Sequence, residues 1–434
     1  MDPISIGIYS FAVLLLMLLV QGMPVGFVMA LVGFVGYWMI AGFDGALHMI
    51  GMVAWEKVTS YTFTVVPLFV LMGNLAFHCR FGQEIFDAGR AWVGHLPGGL
   101  AQGTVLANAF FGAATGSSVA AAATMAKIAV PEMEKYGYQN GLAVASVAAS
   151  GTMASMIPPS IAMALYGMVN EQSIARLLMA GILPGLLMAF SYTSQIWLRC
   201  SLNPKLGPAL PAVTWKERLI ATKGVAWIGA IFVIVMGSIY TGICTPTEAG
   251  ALGASGTLIL GFASRRLTLA KLWEALKDTA RTVGMIFAVA AGAFIYNGLV
   301  AVSRLPDISA EFMSSLPVPP IGILIVILVF YLILGAFMDG VAMMFLTMPT
   351  IFPIVLSMGW DPIWFGVLFI HVYEMGMITP PFGLTLFACE AVLPNVNARE
   401  IMIGRVPFIF SDVCVLTILI CFPQIALFIP GLMS

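Results

Sequence analysis

The chain has 434 residues, 60% of them hydrophobic and only 9% charged, with 19 Lys and Arg against 20 Asp and Glu and a net charge of −1. Soluble proteins carry roughly 25% charged residues, so this balance excludes a soluble globular protein, and the absence of a basic block excludes nucleic acid as a partner. It describes a polytopic all-α membrane protein whose lipid-packed helices are rich in Gly, Met and Phe.

The start, Met1-Asp2-Pro3-Ile4, has no cationic region, and the apolar run after it ends at Gln21-Gly22-Met23-Pro24 without a small-residue cleavage pattern, so it is a first span rather than a signal peptide. At about 20 apolar residues per crossing, further spans are expected near 24–41, 62–79, 138–168 and 177–198. The stretch 43–60 reads as an interfacial arm helix. Between the third and fourth spans, Gly99 to Pro131 consists of two apolar arms of roughly 13 to 16 residues around Gly112-Ala113-Ala114-Thr115-Gly116-Ser117-Ser118. Such arms reach only about 20 to 24 Å at helical rise, which predicts a re-entrant hairpin rather than two crossings. Two ordinary loops between short spans are the competing reading. The fourth span is interrupted at Ile157-Pro158-Pro159-Ser160, where consecutive prolines remove two amide donors and bar helix at the residue before them.

A polar connector, 199–224, holds Asn203-Pro204 and Pro208 and separates two halves that match at a constant offset of 222 or 223. Pro24 pairs with Pro246, Asn74 with Asn297, Gly112-Ala113 with Gly335-Ala336, Gly137 with Gly359, Pro158-Pro159 with Pro380-Pro381, and Pro184 with Pro407. The second half therefore repeats the first, with spans near 226–243, 247–263, 282–300, 361–393 and 405–428 and an arm at 264–281. Its hairpin, 319–353, has the tip Gly335-Ala336-Phe337-Met338-Asp339-Gly340. The first repeat is 1–198 (scaffold helices 1–79, hairpin 99–131, broken helix 138–168) and the second is 225–434 (hairpin 319–353, broken helix 361–393). Five spans per repeat make the two copies inverted, with their hairpins entering from opposite faces.

Charge tests this topology separately. Lys and Arg collect in cytoplasmic loops, and threading the chain on that rule places the connector, Arg80, Arg90, Lys127, Lys135, 265–281, Arg399 and Arg405 inside, leaving only Lys57, Arg176 and Arg304 outside. Both termini then lie on the non-cytoplasmic face. The six cysteines form no CxxC pair and read as packing residues.

A broken helix facing a hairpin tip offers carbonyls and hydroxyls to a cation, and amides at the half-helix N-termini to an anion. That combination fits a cation-coupled carrier of an acid, with a simple pair of packing kinks as the alternative. Glu248 invites a coupling role, but Thr245-Pro246-Thr247-Glu248 has the pattern of a capping box. His371 and Glu374, three apart on one helix, can face a polar cavity, although their repeat partners are Ala149 and Thr152. Asp339, at a tip, needs a cation or a helix N-terminus beside it. Lys127 reads as a snorkelling surface lysine. No HExxH, GxSxG or Walker A pattern is present, which argues against an intramembrane enzyme and against ATP hydrolysis by this chain.

At this point the sequence resembles a family, the large membrane subunit of tripartite ATP-independent periplasmic (TRAP) transporters, over nearly its whole length. The resemblance rests on Pro67-Leu68-Phe69 with Gly73-Asn74, on Gly112 to Ser118, on Ile157-Pro158-Pro159-Ser160, on Ala180-Gly181-Ile182-Leu183-Pro184-Gly185, on Thr245-Pro246-Thr247-Glu248-Ala249, and on Ile378-Thr379-Pro380-Pro381-Phe382-Gly383. It implies sodium-driven uptake of an organic acid across the bacterial inner membrane by an elevator-type carrier with no organic cofactor. It also implies two partners, a small membrane subunit expected as a separate polypeptide and a soluble periplasmic binding protein. A first sodium site is implied at Thr115, Gly116, Ser117, Ser118, Gly151, Thr152, Ser155 and Pro158, and a second at Gly335, Asp339, Gly340, Gly376, Thr379 and Pro380. Substrate would meet Ser117, Ser118 and Ser160, with Asn74 and Asn297 supporting the tips. A single-subunit anion carrier and a channel remain the competing classes.

Overall fold

The computed structural model describes residues 2–51, 59–381, 383–393 and 398–433. Lys57, the later part of the 43–60 arm and Phe382 lie outside the described residues. Every regular element described is helical. In chain order the helices are α1 (Pro3–Gln21), α2 (Val25–Ala41), α3 (Phe43–Met49), α4 (Val65–His78, entered through a 3-10 turn at Tyr61–Thr64), α5 (Phe81–Val93), α6 (Gly99–Thr115) and α7 (Ser118–Lys135). Then come α8 (Asn140–Met156), α9 (Ile161–Val169), α10 (Ile174–Ala180), α11 (Ile182–Leu202), α12 (Trp215–Tyr240), α13 (Pro246–Ala263) and α14 (Leu269–Val302). The last are α15 (Leu305–Ser315), α16 (Pro320–Gly335), α17 (Gly340–Ser357), α18 (Pro362–Gly376), α19 (Leu384–Glu390), α20 (Ala398–Cys421) and α21 (Gln424–Gly431).

Burial sorts these helices. Each residue from Gly141 to Met156 on α8 and from Ile363 to Gly376 on α18 is buried. α12 lies at the other extreme, exposing Trp215, Leu219, Trp227, Val233 and Ile234. Apolar side chains facing outward on so long a helix suit lipid rather than water. The two interrupted helices therefore form the core, and the straight helices form the wrapping. Among the described residues, six helical segments are long and apolar enough to cross a membrane, and the pair α8–α9, bent by 43°, makes a seventh if it is one span. α1, α2 and α16 are shorter apolar helices.

The wrapping is locked where α2 crosses α14. A Cβ built on Gly33 would stand 2.6 Å from the Tyr296 Cα, one on Gly26 would stand 2.5 Å from the Ala288 carbonyl oxygen, and one on Gly292 would collide with the Gly26 backbone. Only hydrogen at these positions lets the two backbones touch, the small-residue packing that replaces the hydrophobic effect inside lipid.

On one face, the charged residues join the helices to one another. Arg266 pairs with Glu84, His78 Nε2 lies 2.9 Å from Asp278, and Arg90 donates to Glu132 at 2.7 Å and to the Tyr136 hydroxyl at 3.0 Å. Trp92 donates to Thr222, and the Arg218 guanidinium lies over the Trp92 and Trp215 rings. Main-chain bonds also hold the connector here: Gly98 N–H donates to Gly207, Gln139 N–H to Leu206 and Leu210 N–H to the Gly94 carbonyl.

Several expected boundaries differ. The 264–281 arm and the 282–300 span are one 34-residue helix, α14, about 51 Å long at 1.5 Å per residue. No helix breaker lies between Leu269 and Val302, because Gly284 has space around it and simply continues the helix. The span expected at 177–198 divides at Gly181, and the last span divides at Pro423. The hairpin arms have 17, 18, 16 and 18 residues, three of the four longer than the sequence reading, so arm length does not itself decide whether they re-enter. Arg405, expected among cytoplasmic loop charges, is instead buried within α20. Two backbone features recur near the repeat offset: Arg80 and Arg304 both have φ 58° at a helix start, and Gly137 and Gly359 have φ 77° and 70° just before the broken helices.

Replacing Gly292 by Val should lower stability in detergent by at least about 1–3 kcal/mol, the usual cost of overpacking. Gly229→Ala, at a position with no atom within 4 Å, should be neutral or stabilising by up to about 1 kcal/mol. Denaturation of both variants beside the parent checks the contrast.

Candidate functional site

Each hairpin tip is seated on a broken helix. In the first half, Gly116 adopts φ 61° to end α6, and Ser117, in extended conformation, caps α7 by accepting from Ala120 N–H. The hairpin can lie flat on α8 because glycines line the contact: a Cβ on Gly112 would meet the Ala154 Cα at 2.7 Å, and one on Gly151 the Ala122 Cβ at 2.8 Å. The tip itself reaches the break, since a Cβ on Gly116 would stand 3.3 Å from the Pro159 carbonyl oxygen. Ser160 caps α9, accepting from Met163 N–H at 3.2 Å while its hydroxyl donates to the Ser155 carbonyl at 2.5 Å.

The second half repeats the seating with different chemistry. Gly335 and Gly376 face each other, and a Cβ on Gly335 would stand 3.0 Å from the Tyr373 carbonyl oxygen and one on Gly340 would strike the Tyr373 ring. Asp339 caps α17, accepting from Val341 N–H at 3.0 Å, so the helix N-terminus expected beside this acid is present. Thr379 donates to the Met375 carbonyl, and Pro380 is exposed beyond it. α19 starts at Gly383, φ 74°, with no side-chain cap.

All eight residues of the first implied sodium set thus come from two segments in contact, with Thr115 and Thr152 turned onto their own helices, donating to Gly112 and Ala149 carbonyls. In the second set, Gly335, Gly340 and Gly376 are brought together, whereas Asp339 and Pro380 face outward. Ser118 and Ser160 are fully enclosed and Ser117 is half-buried. Asn74 is not at a tip: its amide donates to the Thr279 hydroxyl at 3.0 Å, joining α4 to α14. The side-chain amide oxygen of Asn297 is buried on α14 without a hydrogen bond. Thr245 and Glu248 form the expected capping box, and Lys127 is exposed.

The two halves meet through a residue that repeat symmetry did not support. Glu374, 1% exposed on α18, accepts from the Ser118 hydroxyl at 2.6 Å, and Ser118 lies 2.8 Å from the Ser155 hydroxyl. Ser118 has one proton, so with it directed to Glu374 the Ser155 hydroxyl donates to Ser118. The second Glu374 oxygen is buried without a hydrogen bond, and among the described residues the carboxyl makes no ion pair. One helical turn earlier, His371 Nε2 stands 3.0 Å from the Asp412 carbonyl oxygen, and the Asp412 side chain accepts from Tyr192 at 2.6 Å. Tyr192 and Asp412 had no motif to signal them; Glu374 had one, an acid inside an apolar span. Hydroxyls, a carboxyl and interrupted backbone, all buried inside the protein, form an oxygen-rich set of the kind that suits a hard cation.

A family model described as "Tripartite ATP-independent periplasmic transporter, DctM component" matches residues 11–425. The C4-dicarboxylate TRAP transporter large permease protein of Pseudomonas aeruginosa is 31% identical over 387 residues, covering 89% of this chain and 90% of that one. The sialic acid TRAP transporter large permease protein of Vibrio cholerae is 29% identical over 420 residues, covering 96% of each. Among solved structures, the YdaH transporter of Alcanivorax borkumensis aligns over 98% of both chains with a TM-score of 0.65 at 13% identity, a likeness of fold.

Glu374→Ala removes the acceptor that ties the first tip to the second half. Amide hydrogen exchange across 116–121 should accelerate severalfold while α2 and α14 stay protected. Unchanged exchange at the tip would mean that the Ser118–Glu374 bond holds nothing in place.

Proposed function

The chain belongs to the DctM-component family of TRAP transporters, whose relatives are transporter permeases, and on that premise we propose that it is the sodium-coupled transport subunit for an organic acid. The observation that carries this reading is the seating of two polar, Gly-rich tips on two interrupted helices in the most buried part of the fold. The relatives are named for a C4-dicarboxylate and for sialic acid, so the substrate class here is a carboxylated metabolite.

Sodium in the first site would be held by the tip residues Thr115 to Ser118 together with Gly151, Thr152, Ser155 and Pro158. The fit is chemical: hydroxyl and carbonyl oxygens converge there, and the unpartnered Glu374 oxygen adds negative charge beside them. The second site would use Gly335, Asp339, Gly340, Gly376, Thr379 and Pro380. Binding of the cation between tip and broken helix would fasten the two together, and α7 and α9 would present capped N-termini to the substrate's carboxylate near Ser117, Ser118 and Ser160.

The two hairpins and broken helices would then move as one body against α1–α5 and α12–α15, carrying the site across the membrane in an elevator cycle. The matched φ values near the repeat offset and the matched seating of both tips support an inverted repeat. The chain would work in the bacterial inner membrane with both termini periplasmic. Its partners would be a small membrane subunit, docked on the lipid-facing scaffold, and a periplasmic binding protein that delivers the acid.

Reconstitution into proteoliposomes, with the small subunit and binding protein each present or absent, tests the scheme. Accumulation of the acid that requires an imposed sodium gradient and both partners is the expected result. Accumulation by this chain alone would favour a single-subunit carrier, and dissipative flux a channel. In the same assay Ser117→Ala, Thr152→Ala and Asp339→Ala should each raise the sodium concentration for half-maximal uptake by several-fold. Normal sodium dependence in all three would remove the assigned sites.

A further inference from the structure

Arg405 is the eighth residue of α20, about 10 Å along the helix from Ala398. It lies on the helix face that carries the buried Ile401, Phe408 and Asp412, while Met402, Ile403, Val406 and Phe410 face outward. Its side chain cannot snorkel to a headgroup: the residue is 2% exposed, and Nε and Nη2 are enclosed without a hydrogen-bond partner. Among the described residues no carboxylate pairs with it. Glu390, at the end of α19, acts on it through space but stands outside ion-pair contact.

A guanidinium does not shed its proton in a protein, so burial cannot be relieved by neutralisation. An enclosed cation with free donors costs several kcal/mol unless an anion answers it. The position of the group says where that anion belongs. A Cβ on Gly383 would stand 3.2 Å from Nη1 of Arg405 and 3.3 Å from the Met377 carbonyl oxygen. The fork of donors therefore lies against the unwound segment between α18 and α19, beside the site where the second tip is seated.

We propose that Arg405 binds a carboxylate of the transported acid at this unwound segment. This rests on the reading of the chain as an organic-acid carrier and adds to it the cationic ligand that the tip hydroxyls lack. A planar guanidinium accepts a carboxylate through two parallel hydrogen bonds, which an ammonium cannot reproduce. A headgroup phosphate is the wrong occupant, because the residues of α20 that meet lipid are on the opposite face.

The test uses the complete transporter in proteoliposomes, with succinate and N-acetylneuraminate as the acids and sodium varied independently. Arg405→Gln should raise the KM for the acid at least about tenfold, the loss expected for one charge-assisted contact, while half-maximal sodium stays near the parent's and the melting temperature without acid holds or rises, because an unanswered buried charge has been removed. Arg405→Lys should recover part of the loss, because charge returns without the fork. Glu390→Gln should leave KM unchanged. A parental KM in Arg405→Gln overturns the assignment, as does a matched loss of melting temperature in Arg405→Gln and Glu390→Gln, which would mark a structural ion pair. Should Arg405→Gln fail to fold, Arg405→Lys decides by the same KM comparison. Failure of the parent transporter to accumulate either acid would instead defeat the carrier reading itself, a result distinct from parental uptake with an unaltered variant.

Discussion

A peptide backbone that leaves its helix inside a hydrocarbon layer has no water to bond, so the protein must supply every partner. Two Pro-Pro interruptions impose that requirement twice on this chain, at 157–160 and at 378–381. The rest of the architecture follows from it. α8 and α18 are buried on all sides, the hairpins cover their breaks, and the straight apolar helices stand outside where lipid is tolerable. Ser160 then caps the helix that follows the first break, and Ser117 and Asp339 cap the return arms of the two hairpins, which sets oriented dipoles beside the interrupted backbone.

The two sites that result are not copies. In the first half the tip is enclosed and rich in hydroxyls, and it borrows Glu374 from the other half. In the second, the fit is made by glycine against the Tyr373 ring and backbone, and Asp339 and Pro380 remain open. The two tips are seated alike on their interrupted helices and differ in the side chains that surround them. Ser118, Ser155 and Glu374 bind three segments from both halves, so displacement of one tip is felt at the other broken helix. Arg405 adds a positive charge to the barer of the two sites, where side-chain hydroxyls are few.

Much of this was legible because its signals are local. Composition and apolar runs located the helices, Gly112 to Ser118 and Gly335 to Gly340 marked the turns, and Thr245 with Glu248 spelled a helix start. What stayed hidden depends on contacts remote in sequence. Ser118 meets Glu374 across 256 positions, and Tyr192 meets Asp412 across 220. Arg405 was read with the loop cations because it falls near a predicted helix start, and only the packing of α20 shows which side of the helix it occupies. The fused α14 was missed for a related reason: an amphipathic arm and an apolar span differ in pattern, yet nothing between them stops a helix.

The connector between the halves is fastened through Gly207, Leu206 and Leu210 main-chain atoms to Gly98, Gln139 and Gly94, with the Tyr138 hydroxyl donating to the Pro208 carbonyl. Main-chain bonds of this kind are indifferent to which side chain the connector residue carries. The path is thus fixed by atoms that every residue carries, although Gly207 must stay small because a Cβ there would stand 2.7 Å from the Tyr138 ring. A segment held in this way accepts the exchange of one apolar side chain for another at Leu206 and Leu210 without any change in the path that joins the two halves.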